Sequence, residues 1–378
     1  MSVGMADGKK KHRKGQNPLV CHGHSRPIVD LHYSPITEDG YFLVSASKDG
    51  KPMLRNGANG DWIGTFEGHK GAVWSACLNH PATLTATGSG DFTARVWDAL
   101  TGDLVHELNH KHIVRCVSFS RDSTKLVTGG HEKVLRVFDL AKPEADPVVL
   151  EAQASPIRCA VWSTFDPNRL YTSLSGEPGI CAWDMRANAV VQRWETSDVV
   201  TSIELSDEDV VTTASGKQVA FWKAQTGEAI RKQDLDFKVE SASLCIQKNC
   251  FASGGEDMWV RLFDYKTGEE IDCNRGHHGP VHCVRFAPDG ESYASGSEDG
   301  TIRIWQTDPK DNPSNNASNN NNAAAAPVKN GAAEPEEDAN VSSSNSDEGA
   351  QEKKNEGEEN EEKKAKDAGE DDDTKEGA

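Results

Sequence analysis

A single structural position recurs at a near-constant interval through most of this chain. Two segments fix its register: Gly88-Ser-Gly-Asp91-Phe-Thr-Ala-Arg-Val-Trp97-Asp98 and Gly296-Ser-Glu-Asp299-Gly-Thr-Ile-Arg-Ile-Trp305. Each runs from small residues through an Asp and a short turn into alternating apolar residues that close on Trp. Alignment on that Trp gives Arg55, Trp97, Phe138, Trp183, Trp222, Phe263 and Trp305, at intervals of 42, 41, 45, 39, 41 and 42 residues. A unit this short cannot bury its own apolar face, so a chain with such a period must stack its units against one another.

A Gly-His pair precedes the repeat as Gly23-His24, Gly68-His69 and Gly276-His277. In the third unit the sequence offers Lys111-His112, in the fourth Ala152-Gln153, and in the fifth and sixth nothing comparable. The acidic residue six before the Trp position is Asp49, Asp91, Asp257 and Asp299, with Glu132, Glu177 and Gly216 in the other units. Seven units in register read as an all-β, seven-bladed WD-repeat β-propeller. Runs such as Val73-Trp-Ser-Ala-Cys-Leu and Val281-His-Cys-Val-Arg-Phe are short and β-prone, and turn residues bound them. Long helical periodicity is absent. The seventh unit stops at Trp305, so its outer strand is expected from Pro18-Leu-Val-Cys-His22, which would zip the ring shut and protect its edges.

Composition divides the 378 residues into three expected regions. Residues 1–17 form a basic disordered arm with the cluster Lys9-Lys10-Lys11-His12-Arg13-Lys14, residues 18–307 form the propeller, and residues 308–378 form an acidic low-complexity tail. The tail lacks the apolar residues that would offset chain entropy. Residues 306–378 hold 20 Asp/Glu against 8 Lys/Arg, and of the net charge of −19 the body carries −11. An acidic body argues against a broad phosphate-binding surface, so RNA contact is expected to be indirect or weak. Nine scattered Cys without a C-x-x-C pair fit reduced core thiols, hence a cytoplasmic and nuclear location. The N-terminus shows no apolar signal region, and no run reaches the ~18 apolar residues of a membrane span. Asn316 and Asn340 in the tail match N-x-S but are not expected to carry glycan, and Ser344 is a weak phosphate acceptor.

Constellations with a chemical look have a plainer reading. His69, Thr87 and Asp91, and likewise His277, Ser295 and Asp299, resemble a hydrolase triad in residue type. The set recurs from unit to unit and ends on an indole donor, Trp97 or Trp305. It reads as a buried structural tetrad of about three hydrogen bonds near 1 kcal/mol each. The cluster His277-His278-x3-His282 alternates faces on a strand, so no metal is expected. No P-loop or dinucleotide fingerprint is present, and no cofactor is expected. The candidate partner-binding rim is the set of loops where the first strands begin: Arg26, Lys48, Lys70, Lys111, Lys238 and Glu298. Taken singly, each is also what a solvated loop residue looks like.

Gly40-Tyr-Phe-Leu-Val-Ser-Ala-Ser-Lys-Asp-Gly, the blade ending Met53-Leu-Arg-Asn56 and Gly60-Asp-Trp-Ile-Gly resemble the serine/threonine kinase receptor-associated (unr-interacting) family of WD-repeat proteins. Further likeness lies in Lys111-His-Ile-Val, Thr128-Gly-Gly and the run from Gly279 to Trp305, so the resemblance covers the whole propeller. It implies a non-enzymatic scaffold that works as a monomeric propeller inside a larger complex. Its implied partners are the survival-of-motor-neuron complex and Sm-type proteins, in spliceosomal ribonucleoprotein assembly and mRNA splicing. It also implies contact with an mRNA-binding translational regulator and, in animals, a kinase-receptor signalling adaptor role. The tail departs from the animal pattern. An alternative with a similar blade plan is the WD-repeat subunit of translation initiation factor three.

Overall fold

The computed structural model describes residues 16–206 and 208–308, all within the first of the chain's two compact units, Met1–Asn320. The basic cluster at Lys9–Lys14 and the tail from residue 309, with Asn316, Asn340 and Ser344, lie outside the described residues.

The described residues contain 27 strands and no helix. Neighbouring strands within each sheet pair antiparallel, in the short turn-bounded runs that β-branched and aromatic residues favour. Five sheets have four strands and one has seven. The seven-stranded sheet is two blades joined by one long strand, Ala189–Leu205. Its first half pairs with Glu177–Asp184 as the outer strand of the fourth blade. Its second half pairs with Val210–Ser215 as the inner strand of the fifth. The 39-residue interval between Trp183 and Trp222 is the shortest in the chain, and no Gly-His turn interrupts it. The strand therefore runs straight from one blade to the next.

All seven repeat positions, Arg55 through Trp305, fall at the same place on the third strand of their blades, opposite Leu43, Thr85, Leu126, Leu170, Val211, Phe251 and Tyr293. Leu19–Cys21 pairs antiparallel with Ile302–Gln306 and supplies the outer strand of the seventh blade. The Gln16 amide extends that pairing: it donates to the Gln306 carbonyl at 3.0 Å and accepts from the Gln306 N–H at 2.8 Å.

The core lies between the blades. Seven apolar clusters each join one blade to the next, and the seventh joins Ile28, Leu31 and Leu43 of the first blade to Cys283, Ile302 and Ile304 of the last. Fully burying one such branched side chain is worth about 1.5–3 kcal/mol, and the ring of junctions leaves no blade with a free face. Small residues on the second strands let neighbours approach. A Cβ on Gly296 would lie 2.6 Å from Ile28 Cγ2, and one on Gly254 would lie 2.5 Å from Val281 Cγ1.

Candidate functional site

The buried tetrads set what is left over for function. In the second blade the His69 ring bonds Thr87 Oγ1 and Asp91 Oδ2, both at 2.8 Å, and the Trp97 indole donates to Thr87 Oγ1 at 2.9 Å. In the seventh, His277 bonds Ser295 Oγ at 2.7 Å and Asp299 Oδ2 at 3.0 Å, and Trp305 donates to Ser295 Oγ at 2.8 Å. Thr87 and Ser295 have no exposed surface, so neither hydroxyl can meet a substrate. Burial lowers the basicity of His69 and His277 despite the adjacent carboxylates. Burial alone would raise Asp91, but hydrogen bonds from Thr93, His69 and the Lys70 N–H outweigh it and hold the carboxyl at about 2.

The other blades keep parts of this arrangement. In the first, His24 bonds Ser45 and Asp49, and Arg55 stands where the Trp would be. The Arg55 guanidinium donates to the His22 carbonyl, just past the closing strand, and to the Gly60 carbonyl at 3.1 Å. In the third blade the structure corrects the sequence assignment. The histidine is His110, 2.8 Å from Thr128 Oγ1, while His112 is exposed. The separation of 28 residues between His and Trp, common to the second and seventh blades, selects His110 before Phe138. Glu132 bonds Arg136 and the Lys111 N–H instead of a histidine. Trp183 and Trp222 donate to Thr172 and Thr213 without a histidine. Gln153 donates to the Glu151 carbonyl, and Asp257 pairs with Arg261. In the sixth blade Ser253 occupies the hydroxyl position and its Oγ lacks a partner.

A second periodic feature lies on the innermost strands. In every blade the pairing of the first two strands shifts register at one place, and the extra residue is Val29, Trp74, Arg115, Arg158, Thr201, Glu240 or His282. A bulge re-aims the side chain it carries. Here all seven bulged residues line a central channel, a cavity of about 680 Å³. The residue before each bulge is a buried Ile or Val that holds the strand against its neighbour blade.

The mouth is chemically divided. Arg115 lies 4.0 Å over the Trp74 ring, and Lys48 approaches the same ring at 5.9 Å. On the other side Glu240 meets Arg158 at 3.3 Å, and Glu298 meets His282 at 2.6 Å and Lys48 at 3.6 Å. Lys238 pairs with Glu240 and Glu256. Deeper in the channel, Arg285 donates to Ser241 Oγ at 3.0 Å and lies 3.8 Å from Asp30 and 3.9 Å from Glu204.

Of the six rim residues read from the sequence, Lys48, Lys238 and Glu298 thus sit in ion pairs beside the channel. Arg26, Lys70 and Lys111 are exposed on the flanking loops, with no acidic partner for their side chains among the described residues. The bulged residues escaped that reading. Their signal was present: each is the residue after the first buried Ile or Val of an innermost strand.

The family model described as IFT122 first beta-propeller matches residues 27–305, nearly the whole described ring. The serine-threonine kinase receptor-associated protein of Gallus gallus is 50% identical over 293 residues, covering 77% of this chain and 83% of that protein. The protein of the same name from Dictyostelium discoideum is 46% identical over 292 residues, covering 77% of this chain and 99% of its own length. The chain belongs to the serine-threonine kinase receptor-associated protein family of WD-repeat propellers. Subunit I of eukaryotic translation initiation factor 3 from Nematostella vectensis matches at 29% over 315 residues, covering 77% of this chain and 97% of that protein. Within the receptor-associated family, the site that this geometry offers is a recognition surface. It has paired and unpaired charges, an indole and a channel, and its hydroxyl–histidine–carboxylate sets are committed to the frame.

Proposed function

We infer that this chain is a non-catalytic protein-interaction scaffold, and that it serves as an accessory subunit of the survival-of-motor-neuron complex in spliceosomal ribonucleoprotein assembly and mRNA splicing. The single observation that supports this choice is the contrast in identity over the same propeller. Receptor-associated proteins match at 46–50%, the initiation factor subunit at 28–29%. The bulged mouth suits the role, since seven frame-held side chains can present a partner surface without disturbing the core. Sm-type proteins and survival-of-motor-neuron components are the proposed partners, with RNA contacted indirectly, and the proposed location is cytoplasmic and nuclear.

Translation initiation is the second reading, because the initiation factor relatives align over the same 77% of the chain. A kinase-receptor adaptor role is the third, from the name that the receptor-associated relatives carry. Purification of the tagged protein from its own cells at moderate salt, followed by mass spectrometry, separates the three. Co-purifying Sm proteins support ribonucleoprotein assembly. Initiation factor subunits, or receptor kinases, in their place overturn it.

A further inference from the structure

Phe92 occupies an expensive position. Its φ is 69°, in the left-handed region, at the turn place where the first and seventh blades use Gly50 and Gly300. An aromatic residue there costs on the order of 1–3 kcal/mol in backbone strain. Burial does not repay it, because Phe92 is 44% exposed, and its ring lies 5.4 Å from the exposed ring of His112. His112 in turn lies 5.1 Å from His131. An apolar ring is therefore held out to solvent on the face that carries the channel mouth.

Arg115 is the second observation. It sits at the bulge of the third blade and stacks on Trp74. The neighbouring cations Arg158, Lys48 and Lys238 all have carboxylate partners. Among the described residues no carboxylate pairs with Arg115. Burial and then the like charge of Arg158 disfavour its cation. A half-buried guanidinium in that state gains from an incoming anion, and its planar fork matches a carboxylate in bidentate geometry.

We propose that the sector of the mouth centred on Arg115, Trp74 and Phe92 docks an acidic segment of a partner protein, with one carboxylate on Arg115 and one apolar side chain against Phe92. This rests on the scaffold reading above and names the partner's chemistry. A nucleic-acid strand fits the sector poorly. The Trp74 ring is already covered by Arg115, which leaves little open face for base stacking. Glu240 and Glu256 across the mouth would repel a run of phosphates. A single carboxylate meets Arg115 without reaching them.

The probe is a displayed library of random 12-residue peptides, selected on the full chain, with the recovered peptides measured by fluorescence anisotropy. Peptides pairing Asp or Glu with Phe, Leu or Trp are expected. Their affinity should fall at least about tenfold in Arg115→Gln, the loss of one charge-assisted hydrogen bond. Phe92→Gly should weaken them similarly while leaving thermal unfolding unchanged or raised, since glycine suits that backbone. Recovered peptides without acidic residues, or binding that ignores both substitutions, would overturn the proposal. So would a 12-nucleotide single-stranded RNA that binds through Arg115 where acidic peptides do not. Purification of both variants from cells keeps the two levels apart. Wild-type partners that persist in both variants refute this sector and leave the scaffold standing, whereas a wild-type chain that brings down no partner refutes the scaffold itself.

Discussion

His277, like His69, has both ring nitrogens committed and its side chain shut away from solvent. His277→Ala leaves Ser295 and Asp299 short of a partner and is expected to lower stability by about 1–3 kcal/mol, read from the urea midpoint. The imidazoles also set a pH response. His32 faces the channel, where burial first and the Arg285 charge second push its pKa down to about 4 from an ordinary 6.5. His69 and His277 shift in the same direction. The unfolded chain therefore binds protons that the folded chain refuses. Stability is full above about 6.5 and is lost as pH falls toward 4, with His32 accounting for at most on the order of 3 kcal/mol. The urea midpoint should drop between pH 7 and pH 5; a flat profile would contradict the buried neutral state. At this scale the sequence was legible where a residue kept its full set of neighbours. His69, Thr87, Asp91 and Trp97 could be placed from spacing alone. His110 was not, because Asn109 replaces the glycine before it and Lys111-His112 imitates the pair two residues on.

Strands show a similar limit. Innermost strands such as Val73–Leu78 and Val281–Phe286 were recognisable as short β-prone runs, whereas their bulges left only a break in apolar alternation just after the first buried Ile or Val, and that break went unread. Arg115 and Arg158 follow a buried Val or Ile like ordinary outward residues, and only the paired strand shows that they turn into the channel. The strand shared by the fourth and fifth blades was hidden for another reason: the sequence lacks a turn there, and an absent turn looks the same as a degenerate one. Blade packing, by contrast, rests on residues whose size is visible. Gly296 admits Ile28, with the Cys283 sulfur also 2.7 Å from where a Cβ would stand. Gly296→Ala is expected to destabilise by about 1–3 kcal/mol through overpacking, with a matching fall in the thermal midpoint.

Across the whole molecule the fold class was plain because three strong units and four weaker ones fell in one register, whereas the division of the mouth into a basic–aromatic and an acidic side depends on which blades are neighbours. Closure rests on the strand Leu19–Cys21, held by its ladder, by Gln16 and by Arg55 through His22. A chain lacking residues 1–22 should melt at least about 5 °C lower and be cut faster by protease within the seventh blade, where an open edge replaces a paired one. The closing strand also imposes a schedule. Gln16 and Gln306 are 290 residues apart, so at about 5–20 residues per second the first strand waits roughly 15–60 s on the ribosome for its partner to be made. Throughout that interval Ile28, Leu31 and Leu43 have no seventh blade to cover them. The nascent chain therefore carries an uncovered apolar face for nearly the whole time it takes to synthesise the propeller, and a chaperone that engages this protein would find its longest-lived target in the first blade.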